Sequence, residues 1–264
     1  MRVSCVAVFA SWLMLTLATA RAQPFGPGCA IPVLSATPHP IDTQCGNEGG
    51  NFGPGEDTPA HHAQNLAKNN LCATSTPSRV TVLTMTKLQQ SAVQLQTAGQ
   101  LQFGSKTVLP TDRSVLHNLR KTSDGNTVGE GSLVQFVGFI LKTRAGGSES
   151  VNCGLTGIDN NDIHIVLVEQ KTTPECGSIT AEMIPHARPT AWNRTNLNQI
   201  TNPVRIKGQL FFDASHKPCG LPGGGSPARV SDWEIHPVYA IDVCSNTTLA
   251  QCRFDDKSVW VTLQ

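Results

Sequence analysis

Charge of one sign, aromatic side chains and long apolar runs are all scarce in this chain. Twenty Lys and Arg stand against 19 Asp and Glu, a formal balance of +1. A protein that grips nucleic acid through its phosphates carries a basic excess, so this balance argues against that class. Nine Phe, four Trp and one Tyr among 264 residues leave little from which to build a platform for stacked bases. Beyond the N-terminus no stretch offers the ~20 apolar residues of a membrane span. Glycine and proline, 23 and 17 residues, are too few and too irregular for a collagen-like or low-complexity chain. GxSxG, Walker A, HExxH and GxGxxG are missing, so no nucleophile elbow, phosphate loop or zincin helix is spelled out. The run Gly220-Leu221-Pro222-Gly223-Gly224-Gly225 lacks the Lys-Ser/Thr of a phosphate loop.

What is present first is an export signal. Met1–Ala22 has a short n-region with Arg2, an apolar stretch from Val3 to Ala18, and a small-x-small end at Ala20-Arg21-Ala22. That pattern is a secretory signal peptide and implies a secreted or periplasmic protein. Its removal takes away Arg2, Arg21 and Cys5 and brings the balance from +1 to about −1. Eight cysteines then remain: Cys29, Cys45, Cys72, Cys153, Cys176, Cys219, Cys244 and Cys252. None forms a CxxC pair, which leaves a redox motif or zinc ribbon without support. An even set in an exported chain reads as disulfides. Loop economy favours Cys45 with Cys72, Cys153 with Cys176, and Cys219 with Cys244 or Cys252.

The remainder divides at about residue 131. Residues 23–131 are turn-rich, with short helices. One is expected from Pro59 to Asn69, with Thr58 as N-cap and Pro59 in the first turn; His61 and His62 on it read as solvated surface. Arg79–Met85 reads as a strand, and residues 86–96 and 112–120 as short helices. Residues 132–264 give a cleaner signal. Strands are expected at Leu133–Thr143, Ile163–Val168, Ser178–Ile184, Val204–Phe212 and Val230–Val243, with a helix at Pro189–Thr201 and a short edge strand at 258–263. Glycines inside two strands, Gly138 and Gly208, mark bends. A mainly β domain (a β-rich α+β chain) with one helix between the third and fourth of five strands has the element order of an OB-like barrel.

Four histidines of this region each follow an acid: Asp162-Ile-His164, Glu182-x-x-x-His186, Asp213-x-x-His216 and Glu234-Ile-His236. Residues two apart on a strand share a face. Asp162 with His164, and Glu234 with His236, therefore lie on the polar faces of strands whose isoleucines point the other way. Three readings stay open. Imidazoles and carboxylates can hold a divalent metal such as zinc, with His164, His216 and His236 as ligands. They can work as acid and base, with Glu182 or Glu234 activating water and Asp162, His186 and Asp213 binding. They can also form a buried polar network without chemistry.

Cys45-Gly-Asn-Glu-Gly, Ala63–Asn70, Asn161-Asp-Ile-His-Ile165, Gly208–His216 and Trp233–Cys244 together resemble a group of exported bacterial proteins of unassigned function. The resemblance covers most of the mature chain, and WEIHPV with FDASH is its most specific part. It implies a Gram-negative-type exported protein and supplies no catalytic residues. The leading expectation is a disulfide-stabilised β-domain acting as a binding or structural module of the envelope, with the acid/histidine cluster as its site and a small molecule, a glycan or an envelope protein as ligand. The alternative is a metal-dependent hydrolase of phosphoester or similar bonds built on the same cluster.

Overall fold

The computed structural model describes residues 39–74, 76–186 and 188–264. The expected signal segment Met1–Ala22 and Cys29 lie outside them. The helices are α1 Ile41–Gln44, α2 Pro59–Lys68, α3 Val82–Thr97 and α4 Arg194–Asn198. The strands are β1 Ser78–Val80, β2 Arg120–Lys121, β3 Thr127–Val128, β4 Leu133–Ala145, β5 Ile163–Val168, β6 Ile179–Met183, β7 Val204–Phe212, β8 Trp233–Cys244 and β9 Trp260–Thr262.

Five of these strands close a barrel. β4 pairs antiparallel with β5, and β5 with β6 (Ile163 opposite Met183). β6 meets β8 in parallel (Thr180 opposite Glu234), β8 runs antiparallel to β7, and β7 returns to β4. Numbered along the barrel, the order is 1-2-3-5-4-1 with a helix between the third and fourth strands. This is the OB-like arrangement expected from the element order. β4 belongs to both edges of the closure: its first half pairs with β7 and its second half with β5. The two pairings hand over at Gly138, where a Cβ would lie 2.5 Å from the carbonyl oxygen of Val168. Gly208 does the same in β7: the register slips on both sides of it, and a Cβ there would lie 2.3 Å from the oxygen of Pro237. Both bends need a residue without a side chain.

Strand parity sorts the barrel into two faces. Ile163, Ile165, Leu167, Ala181, Ile206, Leu210, Trp233 and Ile235 point inward and form one apolar core. Met85, Leu88 and Ala92, one stripe of α3, join it. α3 begins earlier than the residues suggested. The expected strand Arg79–Met85 is only Ser78–Val80, and Thr81 then caps the helix by accepting from Thr84 N at 3.0 Å. The local cap outweighs the valine alternation. Similarly, the expected helix 112–120 is a single turn at Ser114–Leu116 followed by β2, and the expected helix 189–201 shrinks to α4. Asn193 caps α4 through Asn196 N at 2.9 Å, and Asn198 Oδ1 ties it to β4 by accepting from Thr143 N at 2.9 Å. α2 starts where expected, at Thr58 and Pro59.

Disulfides join Cys45 to Cys153, Cys176 to Cys219 and Cys244 to Cys252, and Cys72 is disulfide-bonded as well. The expected pairs Cys45–Cys72, Cys153–Cys176 and Cys219 with Cys244 or Cys252 are therefore corrected. Loop economy counts residues along the chain, but barrel closure sets the distances in space. Cys45 and Cys153 are 108 positions apart in sequence, and Cys176 and Cys219 are 43 apart. The first bond ties the segment after α1 to the β4–β5 connection. The second joins the β5–β6 and β7–β8 connections.

Candidate functional site

The outward face of the barrel is polar and yet buried. His164, Glu182, Gln209, Phe211, Glu234 and His236 have the parity opposite to the core, and all but His164 are almost fully enclosed. The cover is α2 and the residues after it. Gln209 Nε2 donates to the Ala67 carbonyl at 2.7 Å, and Ala67 packs on Phe211. Tyr239 donates its hydroxyl to the Asn70 carbonyl at 2.6 Å. Lys68 at the end of α2 reaches Glu149 at 2.6 Å, and Gln64 Nε2 donates to Ser215 Oγ at 2.6 Å. In OB folds the outer face of the second and third strands is where oligonucleotides or oligosaccharides dock. Here the chain lays its own helix against the outer side of the barrel.

Three ionic groups lie beneath the cover. The first is centred on Glu182. Its carboxylate is 3.4 Å from His164 Nδ1, directly opposite on β5, and 2.9 Å from His236 Nδ1 on β8. Glu234 stands 3.5 Å from the same His236 nitrogen. Asp162, just before β5, accepts from Asn152 Nδ2 at 3.1 Å. Donor atoms of Asp162, Glu182 and His236 all lie within 4.8 Å of one another, the one such group of three among the described residues. The second group surrounds Arg229, which donates to Asp213 at 2.7 Å, to Asp232 at 3.0 Å and to Glu234. His216 Nδ1 meets Asp213 at 2.5 Å from the rim. The third is the fully buried Arg113–Glu130 fork, in which Glu130 also accepts from Phe212 N at 3.0 Å.

These contacts set the protonation states. Burial opposes charge on His236, but Glu182 and then Glu234 win and raise its imidazole to about 10. Burial would raise Glu182 too, yet His164 and His236 hold it far below the usual carboxylate range. Asp162 is raised by burial, only partly offset by His236. One guanidinium cannot serve three carboxylates equally. Burial pushes Asp232 up to about 7 despite Arg229 and also raises Glu234. Asp213, which has the His216 hydrogen bond as well as Arg229, stays well below 3.8 against the same desolvation.

The structure does not unite the four expected acid/histidine pairs in one centre. His164 and His236 converge on Glu182. His186 instead meets Asp42 at 2.7 Å, far from Glu182 in role, and His216 serves Asp213 at the rim. A ligand set of His164, His216 and His236 is not the group that comes together; Asp162, Glu182 and His236 is. His61, expected at the surface, is buried, and His62 lies between Glu48 (3.1 Å) and Asp57 (2.9 Å). Sequence reasoning missed Lys68, Arg113 and Arg229, the cations of the network. The available signal was Arg229-Val-Ser-Asp232-Trp-Glu234, a cation and two acids packed into six residues. Cavities open elsewhere among the described residues. One of about 480 Å³ has Thr76, Asn118 and Thr127 on its wall, and one of about 70 Å³ has His186, Trp192 and Tyr239. Neither is lined by Asp162, Glu182 or His236.

Compared with protein-family models, curated proteins and solved structures, the chain matches none. Fold and site together define a disulfide-stabilised β-barrel domain with a buried acid/histidine cluster. Among the described residues no helix is long and apolar enough to cross a membrane.

Proposed function

We propose that this chain is an exported structural or binding module of a bacterial envelope, and that its acid/histidine network clamps the N-terminal segment onto the barrel. One observation carries this reading. The carboxylates of Asp213, Asp232 and Glu234 spend their charge on Arg229, at side-chain exposures of 6% or less, beneath a helix bonded to the same strands. Such an arrangement fixes segments relative to one another, and its carboxylates are turned to Arg229 and away from solvent. Any small-molecule, glycan or protein ligand would then engage another surface of the domain.

The hydrolase reading keeps one support, the closeness of Asp162, Glu182 and His236. Neither cavity described above is lined by these three residues, and the candidate water-activating groups are engaged: Glu182 by two imidazoles and Glu234 by Arg229. The test is turnover of a phosphodiester such as bis(p-nitrophenyl) phosphate by the purified protein with added zinc or manganese. No turnover above the metal blank is expected. Turnover lost in Glu182→Gln and Glu234→Gln variants that still fold would establish the hydrolase instead. Amide exchange adds a second readout: under the clamp, the α2 amides are as protected as those of β8.

A further inference from the structure

We infer that Asp162, Glu182 and His236 hold a single divalent cation, of zinc or manganese type, which completes the clamp between the β4–β5 connection, β6 and β8. The inference rests on the structural reading of the cluster given above and adds the ligand of that cluster.

Geometry comes first. Two donors on one such ion, each bonded at ~2.0–2.2 Å, can be no farther apart than ~4.4 Å. The three side chains offer donors within 4.8 Å of one another, so small rotations suffice. They come from three separate chain segments: Asp162 from the connection before β5, Glu182 from β6 and His236 from β8. Two carboxylates and one imidazole are a mixed hard and borderline set that suits zinc or manganese better than a soft ion.

Unsatisfied atoms come second. Asp162 Oδ2 and His236 Nε2 are both buried and find no hydrogen-bond partner among the described residues. Asp162 is 1% exposed and His236 is fully enclosed. Leaving such groups unpaired is costly, and more so where a charge is involved. A proton on His236 does not cure this. It serves Glu182 through Nδ1, leaves an N–H at Nε2 without an acceptor, and gives Asp162 Oδ2 nothing.

Charge comes third. Six carboxylates lie buried in this layer: Glu130, Asp162, Glu182, Asp213, Asp232 and Glu234. Arg113 is taken by Glu130, and among the described residues no lysine or arginine makes a salt bridge to Asp162 or Glu182; Lys68 and Arg188 act on them only from a distance. Arg229 is engaged by three acids, and Lys68 by Glu149. Arg188 donates to the carbonyls of Asn161 (2.8 Å) and Ile158 (2.6 Å). The outer contacts are also those of a metal site. Asn152 orients Asp162 through Oδ1 and leaves Oδ2 open, and His164 steadies Glu182 from the far side.

The experiment uses the full exported protein with its disulfides intact, dialysed against EDTA and then exposed to zinc, manganese or calcium alone. We expect one equivalent of zinc or manganese by elemental analysis after gel filtration. The melting temperature should rise with metal concentration, as for any ligand bound only by the folded state. Asn152→Ala, which leaves the three donors in place, should weaken binding by ~10–100-fold, the usual cost of losing an outer-shell partner. Asp162→Asn and His236→Gln should weaken it further, and His216→Ala should leave it unchanged. Wild-type protein that is folded by near-ultraviolet circular dichroism, yet retains no metal and does not shift in melting temperature, overturns the inference. Equal binding by wild type and both donor variants also overturns it, because the ion then sits elsewhere. The clamp fails by a different sign: rapid exchange of the α2 amides with or without metal.

Discussion

The two faces of the same strands make the most instructive contrast in this molecule. Inside the barrel, Ile163, Ile165, Ile235 and their neighbours bury apolar surface, which needs only approximate fit and no partner of opposite charge. Outside, one residue along, Glu182, Glu234 and His236 are buried just as deeply and every charge needs a named counterpart. A core of the first kind tolerates substitution gradually. A layer of the second kind fails sharply when one member is removed, because the remaining charges stay buried and unpaired.

The largest expected effects test that difference directly. Trp233→Ala should cost ~3–5 kcal/mol through the cavity it leaves in the core. Arg229→Met should cost a similar ~3–5 kcal/mol, but by stranding Asp213, Asp232 and Glu234. Urea denaturation separates the causes. Adding apolar replacements for the three acids to Arg229→Met should recover most of the loss, whereas no substitution of those acids rescues Trp233→Ala. Recovery in neither background would show that the ionic layer is not a charge-matched unit.

Next in size is the cross-link that holds the cover in place. Replacing Cys45 and Cys153 together by alanine should cost ~2–5 kcal/mol, since their loop is long. The same change at Cys244 and Cys252, whose loop is only 8 residues, should cost less. Chemical denaturation of the two double variants side by side measures the order, and a reversed order would mean that the covering segment is held without the bond.

The smallest expected effect is a dependence on pH at the rim. The Asp213 hydrogen bond raises His216 above 6.5 despite partial burial. Its contribution is therefore complete below pH 6.5 and disappears as pH rises through the folded value. Asp213 behaves in the opposite sense: held well below 3.8, it stabilises above that pH and loses its contribution as acid approaches its folded value. Stability curves of wild type and His216→Gln should converge above neutrality and separate below it. Parallel curves across that range would remove His216 from the linkage.

The residues made the barrel readable and left its cover obscure. Ile163–Val168 and Val204–Phe212 carry enough alternation to bound their strands, and Gly138 and Gly208 mark the bends. Parity also put Glu234 and His236 on one polar face. It could not say which strand lies alongside or what lies above. Glu182 finds His236 because β6 and β8 run in parallel, and His186 finds Asp42 across 144 residues. Helix onset at Thr81 was hidden because valine alternation and a threonine cap occupy the same residues. The disulfides were misread for the reason that hid the network: both join segments that only the closed barrel brings together.

The Cys45–Cys153 bond has a consequence for how such a chain matures. Under the proposed export the chain emerges N-terminus first, so Cys45 has Cys29 and then Cys72 within reach while Cys153 is still 81 residues behind Cys72. Neighbour-first oxidation therefore traps a pair that the finished barrel does not contain. Correct maturation requires thiol–disulfide exchange after the strands have closed, a step that runs in seconds to hours depending on oxidant and isomerase. The yield of native protein should thus depend on disulfide isomerisation more than on oxidising power.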